Sequence, residues 1–175
     1  MITSMPRRLR TRTGQPALDP VLDFLRLLWS IEHGLQSTSK RMGKTLGITG
    51  PQRLVLKIVS QYPEISAGEL AHVVRLHPST ITGILQRLVA KGLLVRDADA
   101  ADTRRVRLRV RDHARSLTRR SPGTVEAAVQ QVLARVPQAH VTHARAVLTA
   151  IADALEPGEA PGDSERSPRR PRRAR

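Results

Sequence analysis

The 175-residue chain contains no cysteine, so a disulfide framework, a thiolate zinc site and a thiol redox switch are all excluded. A metal site would have to come from His and carboxylates. His140 and His143 stand three apart, but no carboxylate or third His lies at ligand spacing beside them, and neither metal nor cofactor is expected. Aromatics number one Trp, one Tyr and one Phe, so a core must be built from Leu, Val, Ile and Ala. At helical spacing such residues suit packed helices, and the expected class is mainly α. No stretch approaches the roughly 18 uncharged apolar residues of a membrane helix. Met1 to Arg12 is basic but has no apolar run after it, unlike a secretory signal. The reading is a cytoplasmic protein with no membrane partner. No nucleophile, base and orienting residue group together, so no catalytic residue is assigned and an enzyme is not expected.

Acidic residues are also few, 15 against 30 Lys and Arg, for a net charge of +15 and a pI near 11.7. Such a balance implies a polyanionic partner. Residues 1 to 20 hold four Arg and one Asp, and residues 156 to 175 hold six Arg and four acids. The remaining stretch therefore keeps +10 of the excess, with twenty basic residues against ten acidic. Most of the positive charge belongs to the part expected to fold.

Residues 1 to 18, broken by Pro6, Gly14 and Pro16, read as a flexible basic arm. Asp19 before Pro20 supplies an N-cap and a first-turn proline for a helix to about Lys44, with Leu22, Leu25, Leu28, Trp29, Glu32, Leu35 and Met42 marking its faces. It carries more apolar surface than one small domain covers, which points to a second chain. Thr49-Gly50-Pro51-Gln52 has capping-box form and opens a helix over 51 to 61 with Leu54, Val55, Ile58 and Val59 apolar. Ser66-Ala67-Gly68-Glu69 repeats the box for a short helix to about Val74, with Leu70, Val73 and Val74 apolar. Pro78 starts the next, to Lys91, with Ile81, Ile84, Leu85 and Leu88 on one side and Gly92 as its stop. Leu93 to Arg96 reads as a strand, Asp97 to Arg104 as a loop and Arg105 to Arg111 as the returning strand. Asp112 is expected to cap a helical region to Leu155, interrupted at Ser121-Pro122-Gly123 and near Pro137. From Glu156 on, Pro, Gly, Ser and Arg dominate, and a disordered basic tail is expected.

Helix 66 to 74, the turn Arg75-Leu76-His77 and helix 78 to 91 make a helix-turn-helix, whose second helix fits a DNA major groove. Its outward face is Ser79, Thr80, Thr82, Gly83, Gln86 and Arg87. Hydroxyls and a helix N-terminus suit phosphates, and Gln86 or Arg87 suits base edges. In the hairpin that follows, Arg105, Arg107, Arg109 and Arg111 share one strand face, and Val106, Leu108 and Val110 the other. In the loop, Asp102 stands two residues from Arg104 and can hold its guanidinium in a fixed pose for a narrow minor groove.

The stretch ISAGELAHVVRLHPSTITGILQRLVAKGLLVRDADAADTRRVRLRV, with the long helix 20 to 44 and LGITGPQRLVL at 46 to 56, resembles the MarR family of winged helix-turn-helix transcriptional regulators. Ser79, Thr80 and Thr82, then Arg87-Leu88, Lys91-Gly92-Leu93-Leu94 and Arg96, and the Asp102-x-Arg104 of the wing carry the likeness. It implies a single domain over 19 to 155, with dimerisation helices at 19–45 and 112–155 and a DNA-binding winged helix-turn-helix at 49–111. It implies a homodimeric repressor of double-stranded DNA, with recognition helices in the major groove and Asp102, Arg104, Arg105 and Arg107 as wing contacts. It also implies a small-molecule effector, for which Trp29 and His33, one helical turn apart, are the pocket candidates. Val110-Arg111-Asp112-His113-Ala114 replaces the family's usual Leu-Thr and Gly after the wing, and Gly83 replaces a larger polar side chain. Two rival readings are a nucleoid protein coating DNA without sequence preference and a winged-helix module that binds another protein.

Overall fold

In a computed structural model, the described residues are 18–98 and 106–155. They form α1 (Pro20–Thr45), α2 (Gly50–Gln61), α3 (Ala67–Val74), α4 (Pro78–Ala90), strands β1 (Leu94–Ala98) and β2 (Val106–Val110), a 3-10 segment (Asp112–Thr118), α5 (Val125–Leu133) and α6 (Gln138–Leu155). The chain forms two compact units, Met1–Val129 and Gln130–Arg175. The first holds the core. In the second, α6 buries none of its residues within this single chain.

The helix starts follow from the caps. Asp19 accepts from the Val21 amide at 2.7 Å, with Pro20 in the first turn. Thr49 and Gln52 close one reciprocal capping box, and Ser66 and Glu69 close the other. At α4 the cap is His77, whose Nδ1 accepts from the Ser79 amide at 3.3 Å. Helix α3 ends with Arg75 in the left-handed region at φ 55°, which turns the chain sharply toward α4. Gly92 takes φ 67° after α4, where a residue without Cβ meets no steric cost.

One apolar cluster joins α2, α3, α4 and the hairpin: Ile48, Val55, Leu56, Val59, Leu70, Ile81, Ile84, Leu85, Leu88, Leu94, Leu108, Val110 and Ala114. Strands β1 and β2 pair antiparallel, with Leu94 opposite Val110 and Arg96 opposite Leu108. The period-two reading of β2 therefore holds, since Leu108 and Val110 are buried while Arg107 and Arg109 face outward. Residues 64–66 extend this hairpin. Glu64 donates its amide to the Leu108 carbonyl, Leu108 donates to Ile65, and Ser66 bridges Arg107.

Several sequence expectations are corrected. Leu54 is 48% exposed, whereas Arg53 beside it is 1% exposed. Val73 in α3 is also exposed. Both follow from how each helix is rolled against its neighbours. Asp112 does not cap a helix: it begins the 3-10 segment, with Arg111 at the cap position and no side-chain cap bond. Its carboxylate pairs instead with Arg115 at 3.1 Å. Strand β1 runs on to Ala98.

The buried Arg53 is compensated from a distant part of the chain. Its guanidinium donates to the Leu117 and Arg119 carbonyls and to the Glu126 carboxylate. Lys57, one turn on, donates to the intervening Thr118 carbonyl at 3.0 Å. Two cations of α2 thus read three successive carbonyls at the end of the 3-10 segment. Thr124, itself buried, accepts from the Ala127 amide at 3.3 Å and sets the start of α5 so that Glu126 reaches Arg53.

Burial pushes the Glu126 carboxyl up, but hydrogen bonds from Arg53 and from its own backbone amide, with the charges of Arg53 and Lys57, outweigh it. The net effect holds it below its ordinary 4.5. A depressed folded-state value means that this stabilisation is complete above the unfolded value and is lost as pH falls through the folded one. The denaturation midpoint of Glu126→Gln, followed from pH 7 to 3, should therefore lie below that of the parent at neutral pH and converge with it on acidification. Removing the cation leaves two carbonyls and a carboxylate without their donor. Arg53→Met should cost about 3 kcal/mol in chemical denaturation, and an unchanged midpoint would show the cluster to be dispensable.

Candidate nucleic-acid interface

Helix α4 buries Ile81, Ile84, Leu85 and Leu88 and turns the opposite side to solvent. Thr80, Thr82, Gln86 and Arg87 are exposed there, with Ser79 at the start and Gly83 half-buried between them. All six residues expected on the recognition face thus share it. Ser79 is less free than its sequence position implies, because its hydroxyl lies 2.7 Å from His77 Nδ1. Thr80 and Thr82 are the better-placed hydroxyl donors. At the far end, Lys91 donates to the Gly47 carbonyl, tying the helix to the turn before α2. Lys91, which the motif alone leaves unassigned, thus fixes the pose of α4.

The hairpin lies directly after this helix. On its outward face Arg109 donates from Nε and Nη2 to one Asp97 oxygen at 3.2 and 3.1 Å, and Arg107 pairs with Glu64. Of the expected wing contacts, Arg107 is therefore held by an acid on the neighbouring chain segment. Asp102, Arg104 and Arg105 lie outside the described residues. Glu64, on no recognisable motif, is a partner of the hairpin's outward face that the sequence does not single out.

Trp29 and His33 do line one groove, of about 670 Å³, with Leu18, Leu22, Leu25, Arg26 and Ser30. Every lining residue belongs to α1 or immediately precedes it, so the groove is open on its far side. Trp29 is 63% exposed, and Val21, Leu22, Phe24, Leu27, Ile31 and Leu35 are also exposed along this helix. Of all α1, only Met42 is buried. Among the described residues no helix is long and apolar enough to cross a membrane.

The arrangement can now be set beside known proteins. The model of the MarR family matches residues 48–106, from just before α2 into β2. Over that stretch the chain is similar to the MarR family. The HTH-type transcriptional repressor Rv2887 of Mycobacterium tuberculosis is 32% identical over 91 residues, which span 52% of this chain and 66% of that repressor, just under two thirds of its length. Among solved structures, the PcaV regulator of Streptomyces coelicolor, determined with its natural ligand, superposes with a TM-score of 0.64 at 26% identity, over 81% of this chain and all of that one. The MepR–DNA complex of S. aureus superposes at 0.62 with 19% identity, over 76% and 98%, and shows likeness of fold. The expected class, mainly helical with a small antiparallel hairpin, stands.

Gly83 leaves a gap in the row of polar side chains on the exposed face of α4, and its surroundings are open. A Cβ built there meets nothing within 4 Å. Gly83→Ala should therefore keep the fold and raise unfolding stability by about 1 kcal/mol, the helix-interior difference between the two residues. A lowered melting temperature would show that Gly83 is packed rather than open.

Proposed function

We propose that this protein is a MarR-family member, a homodimeric, cytoplasmic transcriptional repressor that reads a pseudo-palindromic duplex. One observation carries the reading: α4 presents Thr80, Thr82, Gln86 and Arg87 on a single exposed face, capped at its start and pinned at its end, with an arginine-bearing wing directly behind it. The polar start of the helix suits phosphates, while the amide and guanidinium further along suit base edges. The repressor names of the mycobacterial relatives and the DNA complex of MepR support it. So does the +10 charge of the central residues.

Dimerisation is assigned to residues 19–45 and 112–155. The exposed apolar side chains of α1, and Val147, Leu148 and Leu155 of α6, are the surface that a second copy would cover. A small-molecule effector fits the same scheme, since PcaV was solved with its natural ligand and CouR of Rhodococcus jostii with p-coumaroyl-CoA. In this chain Trp29 and His33, with the Arg26 guanidinium nearby, offer an aromatic surface and polar groups for such a ligand. Asp102 and Arg104 of the wing are assigned to the minor groove, the carboxylate orienting the guanidinium.

A mobility shift against genomic fragments, including the gene's own upstream region, should pick out a preferred fragment over bulk DNA at about 150 mM salt. No preference would sink the repressor reading and leave a coating protein. Arg104→Ala should weaken binding about tenfold without changing the melting temperature. Unchanged affinity would remove the wing tip from the mechanism.

A further inference from the structure

Helix α4 opens on an uncommon cap. His77 holds the position that Ser, Thr, Asp and Asn favour, and its Nδ1 meets two groups of one residue: the Ser79 amide at 3.3 Å and the Ser79 hydroxyl oxygen at 2.7 Å. Together these contacts assign every proton in the pair. The amide N–H can only donate, so Nδ1 carries its lone pair and the imidazole is neutral, with its proton on Nε2. A bare Nδ1 cannot donate to the hydroxyl, so the Ser79 O–H is the donor in the shorter of the two bonds. The Ser79 oxygen is left with lone pairs and no hydrogen to give.

An unconstrained hydroxyl, like those of the exposed Thr80 and Thr82, rotates to suit its partner and can donate or accept, so it discriminates poorly among bases. Ser79 is exposed on the same helix but offers an outside partner acceptance alone. Phosphate oxygens, guanine O6 and N7 and thymine O4 are themselves acceptors and gain nothing from it. What fits is an amino group, which adenine N6 and cytosine N4 present in the major groove. So short a side chain needs the helix to come close. Gly83, one turn after Ser79, has nothing within 4 Å of where a Cβ would stand, and a base edge can approach the backbone there.

We propose that His77 is a specificity-determining residue that acts through Ser79: by taking the hydroxyl proton it makes Ser79 an acceptor only, which selects a base bearing an exocyclic amino group, adenine or cytosine, at one position of each half-site. The inference rests on the DNA-binding reading above, in which α4 lies in the major groove. His77 itself has no need to touch the duplex. The lone pair that caps α4 also sets what the first outward hydroxyl of the helix can recognise. Both residues sit within one turn of each other, so the polarity of Ser79 is fixed before DNA arrives and no rearrangement is spent on it. A wrong base opposite Ser79 then places two acceptors face to face, which is how the pair rejects guanine and thymine.

The test is selection of bound sites from a random duplex pool by the parent, Ser79→Ala, His77→Gly and His77→Asn. Glycine is tolerated at an N-cap but brings no acceptor, whereas the Asn side chain restores one. The parent should enrich adenine or cytosine at one position per half-site. Ser79→Ala and His77→Gly should both lose the preference there and keep it elsewhere, and His77→Asn should retain it throughout. On the parent's selected duplex, purine in place of that adenine, or 2-pyrimidinone in place of that cytosine, removes the amino group. Any loss of base pairing is common to all the proteins, so the replacement should weaken the parent about fivefold more than it weakens Ser79→Ala or His77→Gly, the worth of one net hydrogen bond. Melting temperatures establish that each variant is folded. Should His77→Gly not fold, the base at the Ser79-dependent position decides: adenine or cytosine supports an acceptor-only hydroxyl, and guanine or thymine overturns it. Selectivity that survives in Ser79→Ala, or in folded His77→Gly whatever its overall affinity, would overturn the proposal, as would its loss in His77→Asn, and each leaves the repressor reading intact. A parent protein that enriches no sequence would overturn both readings.

Discussion

The burial of Arg53 is the constraint on which the first compact unit depends. A guanidinium is always charged, and placing it in the interior is tolerable only if its N–H groups are satisfied and its charge is met. The Leu117 and Arg119 carbonyls and the Glu126 carboxylate do both, and none of them is near Arg53 in sequence. The consequence is that α2, at the centre of the core, dictates where the chain after the wing must run. The 3-10 segment ends with its carbonyls aimed at α2, and the chain then breaks at Ser121-Pro122-Gly123 before α5 begins. The break is therefore part of the attachment, since an uninterrupted α-helix would commit those carbonyls to its own ladder.

The same α2 supports the nucleic-acid face. Val55, Leu56 and Val59 pack in one cluster with Leu85 and Leu88 of α4 and Leu108 of β2, so the recognition helix and the wing rest on a common floor. Lys91 ties the end of α4 to Gly47, at the entrance to α2. Rigid support of this kind lets a few exposed side chains hold a fixed pose. Among the described residues, acids are set against both arginines of β2.

Helix α1 is explained by what a single chain does not cover. Nearly all of it is exposed, including Phe24 and Trp29, and no monomeric domain gains from leaving such residues in water. The exposed groove beside Trp29 shares that surface, so the assembly and the effector proposed for this protein meet on the same helix.

The element boundaries were legible because they rest on local chemistry: two capping boxes, prolines in first turns and glycine after α4 act over three or four residues. The one-sided pattern of α4 and the alternation of β2 were legible for the same reason, since a period of 3.6 or 2 assigns faces without knowledge of the partner. Leu54 is exposed and its neighbour Arg53 buried because hydrophobicity alone does not tell which roll of α2 satisfies a distant set of carbonyls. Asp112 was misread as a cap because its pairing with Arg115 is made only within a 3-10 segment, and Glu64 carried no signal because its partner lies 43 residues away. By itself, then, the sequence determined the order of helices and hairpin, the face that α4 leaves exposed and the basic character of the chain. Tertiary structure alone decided which charges are buried, which are neutralised and which are left for a partner, because those outcomes depend on contacts between residues that only folding brings together.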